Sequence, residues 1–257
     1  LFLAQGLNTV LFGLIVLRCL PDTPSNVAWL TPTEKEWIQD ELAREQTRLG
    51  APTGDSIVAA FRNPRVLLLG LMGFLLIGVV TTVILNAPMI LEITTKLDPK
   101  SVGYIVGLGG LVGAAAVLFA GSHADSHGDR WGNACGCGII LAGSMLFMGM
   151  SSSQTVVVIS YLAFASVCFT IPMLSSSGWA ELLHARELAV GAAAINMLSQ
   201  FGAFVGPYGW GMAKDATGSF RAALTAFSFI ALAMAGLLLL LRHQVRSNAV
   251  GPASAVA

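Results

Sequence analysis

Charge is what this 257-residue chain most lacks. Only 11% of its residues are charged, where soluble domains carry about 25%. Hydrophobic residues make up 55%, and the mean hydropathy is +0.74. A chain this poor in charge cannot cover a water-facing surface, so it reads as a membrane protein, and its span-length apolar runs make the expected class all-α. The few charges balance, 14 basic against 14 acidic. That balance excludes the cationic footprint of a nucleic-acid binder. Cysteine is scarce too. Cys19, Cys135, Cys137 and Cys168 all lie in apolar segments. Cys135-Gly-Cys137 is one residue short of a CxxC motif, which leaves neither a disulfide framework nor a metal site; such cysteines serve as small apolar fillers. A cleavable leader is not visible, because the first residues lack a basic n-region and their apolar run is span-length. No span holds a Ser/His pair, paired aspartates or an HExxH, so an intramembrane enzyme is disfavoured and no cofactor is expected.

What the chain does have is long apolar runs. A membrane span needs about 20 apolar residues. Seven stretches qualify: Leu1–Leu20, Val66–Leu91, Val102–Ala120, Ala134–Met150, Val156–Leu174, Val190–Met212 and Ala222–Leu241. The expected organisation is a first transmembrane helix (1–20), a polar loop with a short amphipathic helix (21–65), six more transmembrane helices (66–241) and a disordered tail (242–257). The first run starts at residue 1 with no Met and no polar lead-in, as a chain cut mid-protein would. In the polar segment, Pro21-Asp-Thr-Pro24 reads as a turn. Thr31-Pro-Thr-Glu34 reads as a capping box with proline at the first helical position, opening a helix over Pro32–Leu49 stopped by Gly50. On that helix Asp40–Arg44 and Glu45–Arg48 are spaced to pair. Trp37, Ile38 and Leu42 form its greasy side. Ala51 to Ser56 reads as a flexible linker.

Topology follows from the cations. Arg18, Lys35, Arg44, Arg48, Arg62, Arg65, Arg130, Arg186, Arg242 and Arg246 fall on one side. Lys96, Lys100, Lys214 and Arg221 fall on the other. Ten against four predicts a cytoplasmic long loop and C-terminus. The expected location is the cell inner membrane, multi-pass.

The chemistry sits in three places. In Val190–Met212, helical spacing puts Asn196, Ser199, Gln200, Ala203 and Pro207 on one face. Lipid offers such an amide-and-hydroxyl stripe no partners, and buried polar groups need them. It is expected to line a solute cavity; the plain alternative is bonding to a neighbouring helix. Gly202 and Gly206 form a small-residue groove for another helix, and Gly103/Gly107, Gly109/Gly113 and Gly132/Gly136 are similar pairs. Second, Gly121-Ser-His-Ala-Asp-Ser-His-Gly-Asp-Arg130 reads as a loop. Asp125, the tight turn at Gly128 and the charge of Arg130 suit a breakable lock between two helices. The alternating His123, Asp125, His127 and Asp129 raise a metal site, but a two-residue period suits a strand, and this segment joins two membrane helices. Third, Asn86, Ser175 and Ser176 are neutral polar groups near prolines. They could touch solute, though such serines more often bond back to their own helix. Lys214-Asp-Ala-Thr-Gly-Ser-Phe220 reads as a short external loop.

Three stretches resemble one family: Leu20-Pro-Asp-Thr-Pro…Ala28-Trp-Leu-Thr-Pro-Thr-Glu34; Gly121…Asp125…Gly128-Asp-Arg130; and Gly202-Ala-Phe-Val-Gly-Pro-Tyr208 with Lys214 to Phe220. The chain resembles the C-terminal part of a major facilitator superfamily transporter. It is most like the anion:cation symporter branch, with its phthalate, tartrate, hexuronate and galactonate carriers. The resemblance implies helix 6 followed by helices 7 to 12, with helices 1 to 5 missing as a partner half. Two departures stand out. Ser126 occupies a position where the loop motif usually has arginine, and Asn86 precedes Ala87-Pro88 where relatives often carry a tryptophan.

Such transporters bind solute between two halves near the bilayer midplane. No Arg, Lys, Asp or Glu lies mid-span here, since Glu92 and Glu181 sit at helix ends. By the resemblance, the cation for an anionic solute and the carboxyl for proton coupling belong to the absent half. The implied function is secondary transport of a small organic anion with protons. The expected solute contacts from this half are Asn86, Ser175, Ser176, Asn196, Ser199 and Gln200. A transporter-like sensor that binds solute without flux is the alternative. A seven-helix receptor fits by span count alone.

Overall fold

The computed structural model describes residues 2–21, 23–27, 29–49, 60–183 and 185–250. Among them every element is helical. The chain divides into two units, 1–54 and 55–257.

In the first unit, α1 spans Phe2–Cys19 and α2 spans Pro32–Leu49, with a 3-10 turn at Pro24–Asn26. The expected capping box forms. The Thr31 N–H donates to Glu34 Oε2 at 2.8 Å, and the Glu34 N–H donates to Thr31 Oγ1 at 3.4 Å. The Thr31 hydrogen bonds hold the Glu34 carboxyl below its usual range. The pairing on α2 differs from expectation, for Arg44 meets Glu41 at 3.7 Å rather than Asp40. Trp37 and Leu42 are exposed. The linker expected at 51–56 lies outside the described residues.

The second unit holds the membrane bundle. Its helices are α3 (Pro64–Thr95), α4 (Pro99–His127), α5 (Arg130–Met150), α6 (Gln154–Cys168), α7 (Thr170–Ser177), α8 (Trp179–Leu182), α9 (Ala185–Thr217) and α10 (Phe220–Val250). Among the described residues, six candidate spans are long and apolar enough to cross a membrane: α3, α4, α5, the run α6–α8, α9 and α10. The seventh expected span is α1, whose apolar described part, Gly6–Cys19, is shorter than a crossing. Two further expectations change. Residues 121–127 are the last turns of α4 rather than loop, and Gly128 alone makes the reversal, at φ 68°. The stretch expected as a disordered tail from 242 is helical through Val250.

Proline explains the break in the α6–α8 span. Pro172 has no N–H to offer Cys168 and crowds its carbonyl. The helix accordingly ends at Cys168 and restarts at Thr170. Asn63 and Asp98 cap α3 and α4, each followed by proline at the first turn. Hydrogen bonds from Ser101 hold the Asp98 carboxyl below its usual range.

Lipid offers helices no hydrophobic drive to associate, so close packing has to supply it. Three helix pairs do this through glycine. On α3 and α9, an added Cβ at Gly202 would lie 2.1 Å from the Phe74 carbonyl oxygen, and one at Gly206 would lie 2.3 Å from that of Gly78. A Cβ added at Gly113 of α4 would lie 2.8 Å from the Ala165 carbonyl oxygen of α6, and one at Gly138 of α5 would lie 3.1 Å from Ala235 Cβ of α10. The Gly103/Gly107 pair, expected to pack, faces open space, as does Gly136. Leu69, Met72, Leu141, Met145, Phe164, Ile195 and Leu238 fill the core between these pairs.

Candidate functional site

The bundle leaves two helices open. Only 17% of the apolar window of α4 and 28% of that of α9 is buried, against 56% for α3. At 3.6 residues per turn, the surface of α9 divides into sectors. Leu198, Ser199, Gly202 and Gly206 face α3. Val205, Gly209 and Ala213 wall a groove toward α10. Met197, Phe201, Phe204 and Tyr208 are more than half exposed. Asn196 and Gln200, one turn apart, occupy the flank opposite the groove. Both are exposed, and neither hydrogen-bonds to any described residue.

The other stripe members differ. Ser199 is buried against Gly73, and its hydroxyl donates to Ile195 O at 2.8 Å. Ala203 and Pro207 are half-buried. Asn86 is half-buried, and its amide donates to Thr82 O at 2.8 Å. Ser175 is buried and donates to Ile171 O at 2.8 Å, while Ser176 is exposed and donates to Met173 O at 3.1 Å. Of the six expected contacts, four are satisfied by their own helices. Asn196 and Gln200 keep free amides.

The lock residues do meet. Arg130 Nη2 donates to Asp125 Oδ1 at 3.2 Å, and Arg130 Nη1 donates to the Ser177 carbonyl at 3.3 Å and lies 3.8 Å from Glu181 Oε1. Gly128 caps α4, its N–H donating to Ala124 O. The structure adds partners that the sequence did not single out. Trp131 is buried and its indole N–H donates to Glu181 Oε2 at 2.9 Å. Arg65 at the start of α3 donates to the Leu182 carbonyl at 3.1 Å, filling an acceptor left over at the end of α8. Asp129 caps α5 through the Gly132 N–H and accepts from Arg242 Nε at 3.2 Å and Arg246 Nη2 at 3.1 Å. One end of the bundle is thereby tied by charge across α3, α4, α5, α8 and α10. Two arginines one turn apart at the end of α10 were the available signal in the sequence.

Partial burial pushes the Asp129 carboxyl up. Hydrogen bonds from Arg242 and Gly132 and the charges of Arg242 and Arg246 outweigh that and hold it below the usual carboxylate range. Its contribution is complete above about pH 4 and is lost only as pH falls through the lower folded value. Near neutrality it acts as a fixed tie. Asp129→Asn should cost about 1 kcal/mol, since the pair is partly solvated, and should admit protease beyond Arg242. Unchanged melting and digestion would mean that the end of α10 is held by other contacts.

The His123 and His127 rings lie 4.1 Å apart, tilted by 32°, on the last turns of α4. Among the described residues, no group of three or more His, Cys, Asp or Glu could hold a metal.

The fold defines a helical multi-pass membrane protein whose spans pair through glycines and whose charges gather at span ends. Residues 1–207 match the family model of the Major Facilitator Superfamily, and the chain belongs to that family. It is therefore of a transporter family and not an enzyme. A relative from Agrobacterium vitis, named for tartrate transport, is 31% identical over 87% of this chain and 51% of its own length. A quinolone resistance transporter of Acinetobacter baumannii is 28% identical over 90% of this chain and 54% of its own. The inner membrane transport protein RhmT of Escherichia coli is 26% identical over 80% and 48%. The chain spans about half the length of the curated relatives it matches. No solved structure matches it.

Proposed function

We propose that the whole protein is a secondary transporter of the inner membrane that moves a small organic anion together with protons. It would work by rocking two six-helix halves about a central solute site. The observation that carries this reading is the pair of unpartnered amides, Asn196 and Gln200, on the open flank of an otherwise apolar helix. Facing acyl chains, they would leave polar groups unsatisfied in hydrocarbon. Facing a second half, they can hydrogen-bond a guest or its water. Two relatives named for tartrate transport favour a carboxylate as that guest. The cation and the proton-carrying carboxyl it needs would come from the other half. The excess of cations on the Arg130 side favours that side as cytoplasmic.

The test is flux. The whole protein in sealed vesicles should accumulate labelled tartrate or a sugar acid when a proton gradient is imposed, and should not do so when the gradient is collapsed. Binding without accumulation would make it a sensor instead.

Asp125 belongs to the rocking step in this reading, because its partner Arg130 also reaches toward Glu181. Asp125→Asn should slow solute exchange several-fold while shifting binding by less than twofold. Equal loss of both would remove the lock from the mechanism.

A further inference from the structure

A second feature of α9 lies on the flank opposite the amides. Phe74 and Val79 of α3, Val205 and Gly209 of α9, and Phe227 and Ile230 of α10 enclose an apolar groove of about 300 Å³. Along α9 it runs from Gly202 to Ala213, about 16 Å of helix axis at 1.5 Å per residue. That is close to half the hydrocarbon thickness of a bilayer, about 15 Å, so the groove is one leaflet deep. Its outer end is marked chemically. Lys214 is the first charge after the apolar run of α9 and stands 4.5 Å over the Phe220 ring. Phe220 in turn packs on Trp210, and Trp210 packs edge-on against Phe227 of the groove wall, 5.5 Å between centroids. An apolar slot of leaflet depth, ending in aromatics and a lysine at headgroup level, has the order of parts of an anionic phospholipid.

We propose that this groove holds one acyl chain of an anionic phospholipid, with Lys214 meeting its phosphate. The occupant is a lipid rather than a solute because the described wall offers scarcely any polar surface, and Lys214 follows directly on the last groove residue of α9, Ala213, at the membrane interface. A zwitterionic lipid would gain the groove but no net attraction to the lysine. The neighbouring Asp215 is exposed and would add repulsion if the lysine were neutralised.

The test uses the whole protein, exchanged into phosphatidylcholine containing a minority of phosphatidylglycerol, then washed in detergent and assayed for retained lipid by mass spectrometry. About one phosphatidylglycerol per chain should remain, enriched over phosphatidylcholine. Lys214→Gln should cut that enrichment about fivefold, the worth of one interfacial lysine. Gly209→Leu should abolish retention of both lipids. An added Cβ at Gly209 meets nothing within 4 Å, so the new side chain enters the groove rather than a helix contact. Ala226→Leu, from the α10 wall, should do the same and covers the case in which the glycine variant fails to fold. Retention unchanged in the filled-groove variants overturns the proposal. So does equal retention of the two lipids by the wild type, or no retained lipid at all, as when another part of the protein fills the groove.

Discussion

Gly202→Val is expected to remove most of the folded protein from the membrane. The new Cβ would fall 2.1 Å from the Phe74 carbonyl oxygen and 2.8 Å from its carbon. A flexible side chain could swing aside, but a backbone carbonyl inside a helix cannot. The helices would have to separate, and the contact between α3 and α9 is the most extensive in the bundle. Overpacking a core costs about 1–3 kcal/mol. With no rotamer to relieve it, the cost here should reach or pass the upper end. In lipid there is little else to hold the pair, because Gly70, Gly73 and Gly78 of α3 depend on the same close approach. Detergent-solubilised protein should run as aggregate on a sizing column, with its unfolding temperature lowered by several degrees. Gly236→Ala is the matched control. A Cβ there meets nothing within 4 Å, so the change should be neutral or mildly stabilising. Similar behaviour of the two variants would show that the glycine contact does not hold the bundle.

Asn196→Ala and Gln200→Ala should each lower transport by the whole protein about tenfold, the worth of one good hydrogen bond at a solute. Membrane level and unfolding temperature should stay unchanged, because neither amide bonds to a described residue. Ser199→Ala separates the site from its surroundings. Its hydroxyl is spent on Ile195 and its side chain is pressed against Gly73. It should therefore alter stability and leave solute affinity alone. Full uptake in both amide variants would place the solute elsewhere.

Much of this was legible in the residues. Span-length apolar runs located the starts of the six crossings within about five residues, ran several of their ends short, and offered α1 as a seventh. Thr31 and Glu34 announced the cap of α2, and Gly202/Gly206 announced a close helix contact. The glycine pairs also show where reading stops. Gly109/Gly113 and Gly103/Gly107 look alike in sequence, yet the first pair is buried against α6 and the second faces open space. Spacing tells which residues share a helix face and says nothing of what that face meets. The same limit applies to the polar stripe. Ser199 and Gln200 are adjacent and equally polar, and a rotation of one residue turns one into the α3 contact and leaves the other free. The helical continuation of α10 past Leu241 was also hidden, because Arg242 and Arg246 look like solvent-facing tail until Asp129 is brought beside them from far along the chain.

Composition and hydrophobic period alone decided that this chain lives in a bilayer, as helices, with its charges at their ends. Those features follow from local rules, since each peptide group in lipid must find its bond within its own helix. Which helices pair, which glycines touch, which amides remain free and which carboxylate holds which arginine were decided only by the tertiary structure. Those outcomes depend on rotation and approach between segments that are distant in sequence, and at this close range an ångström separates a contact from a clash.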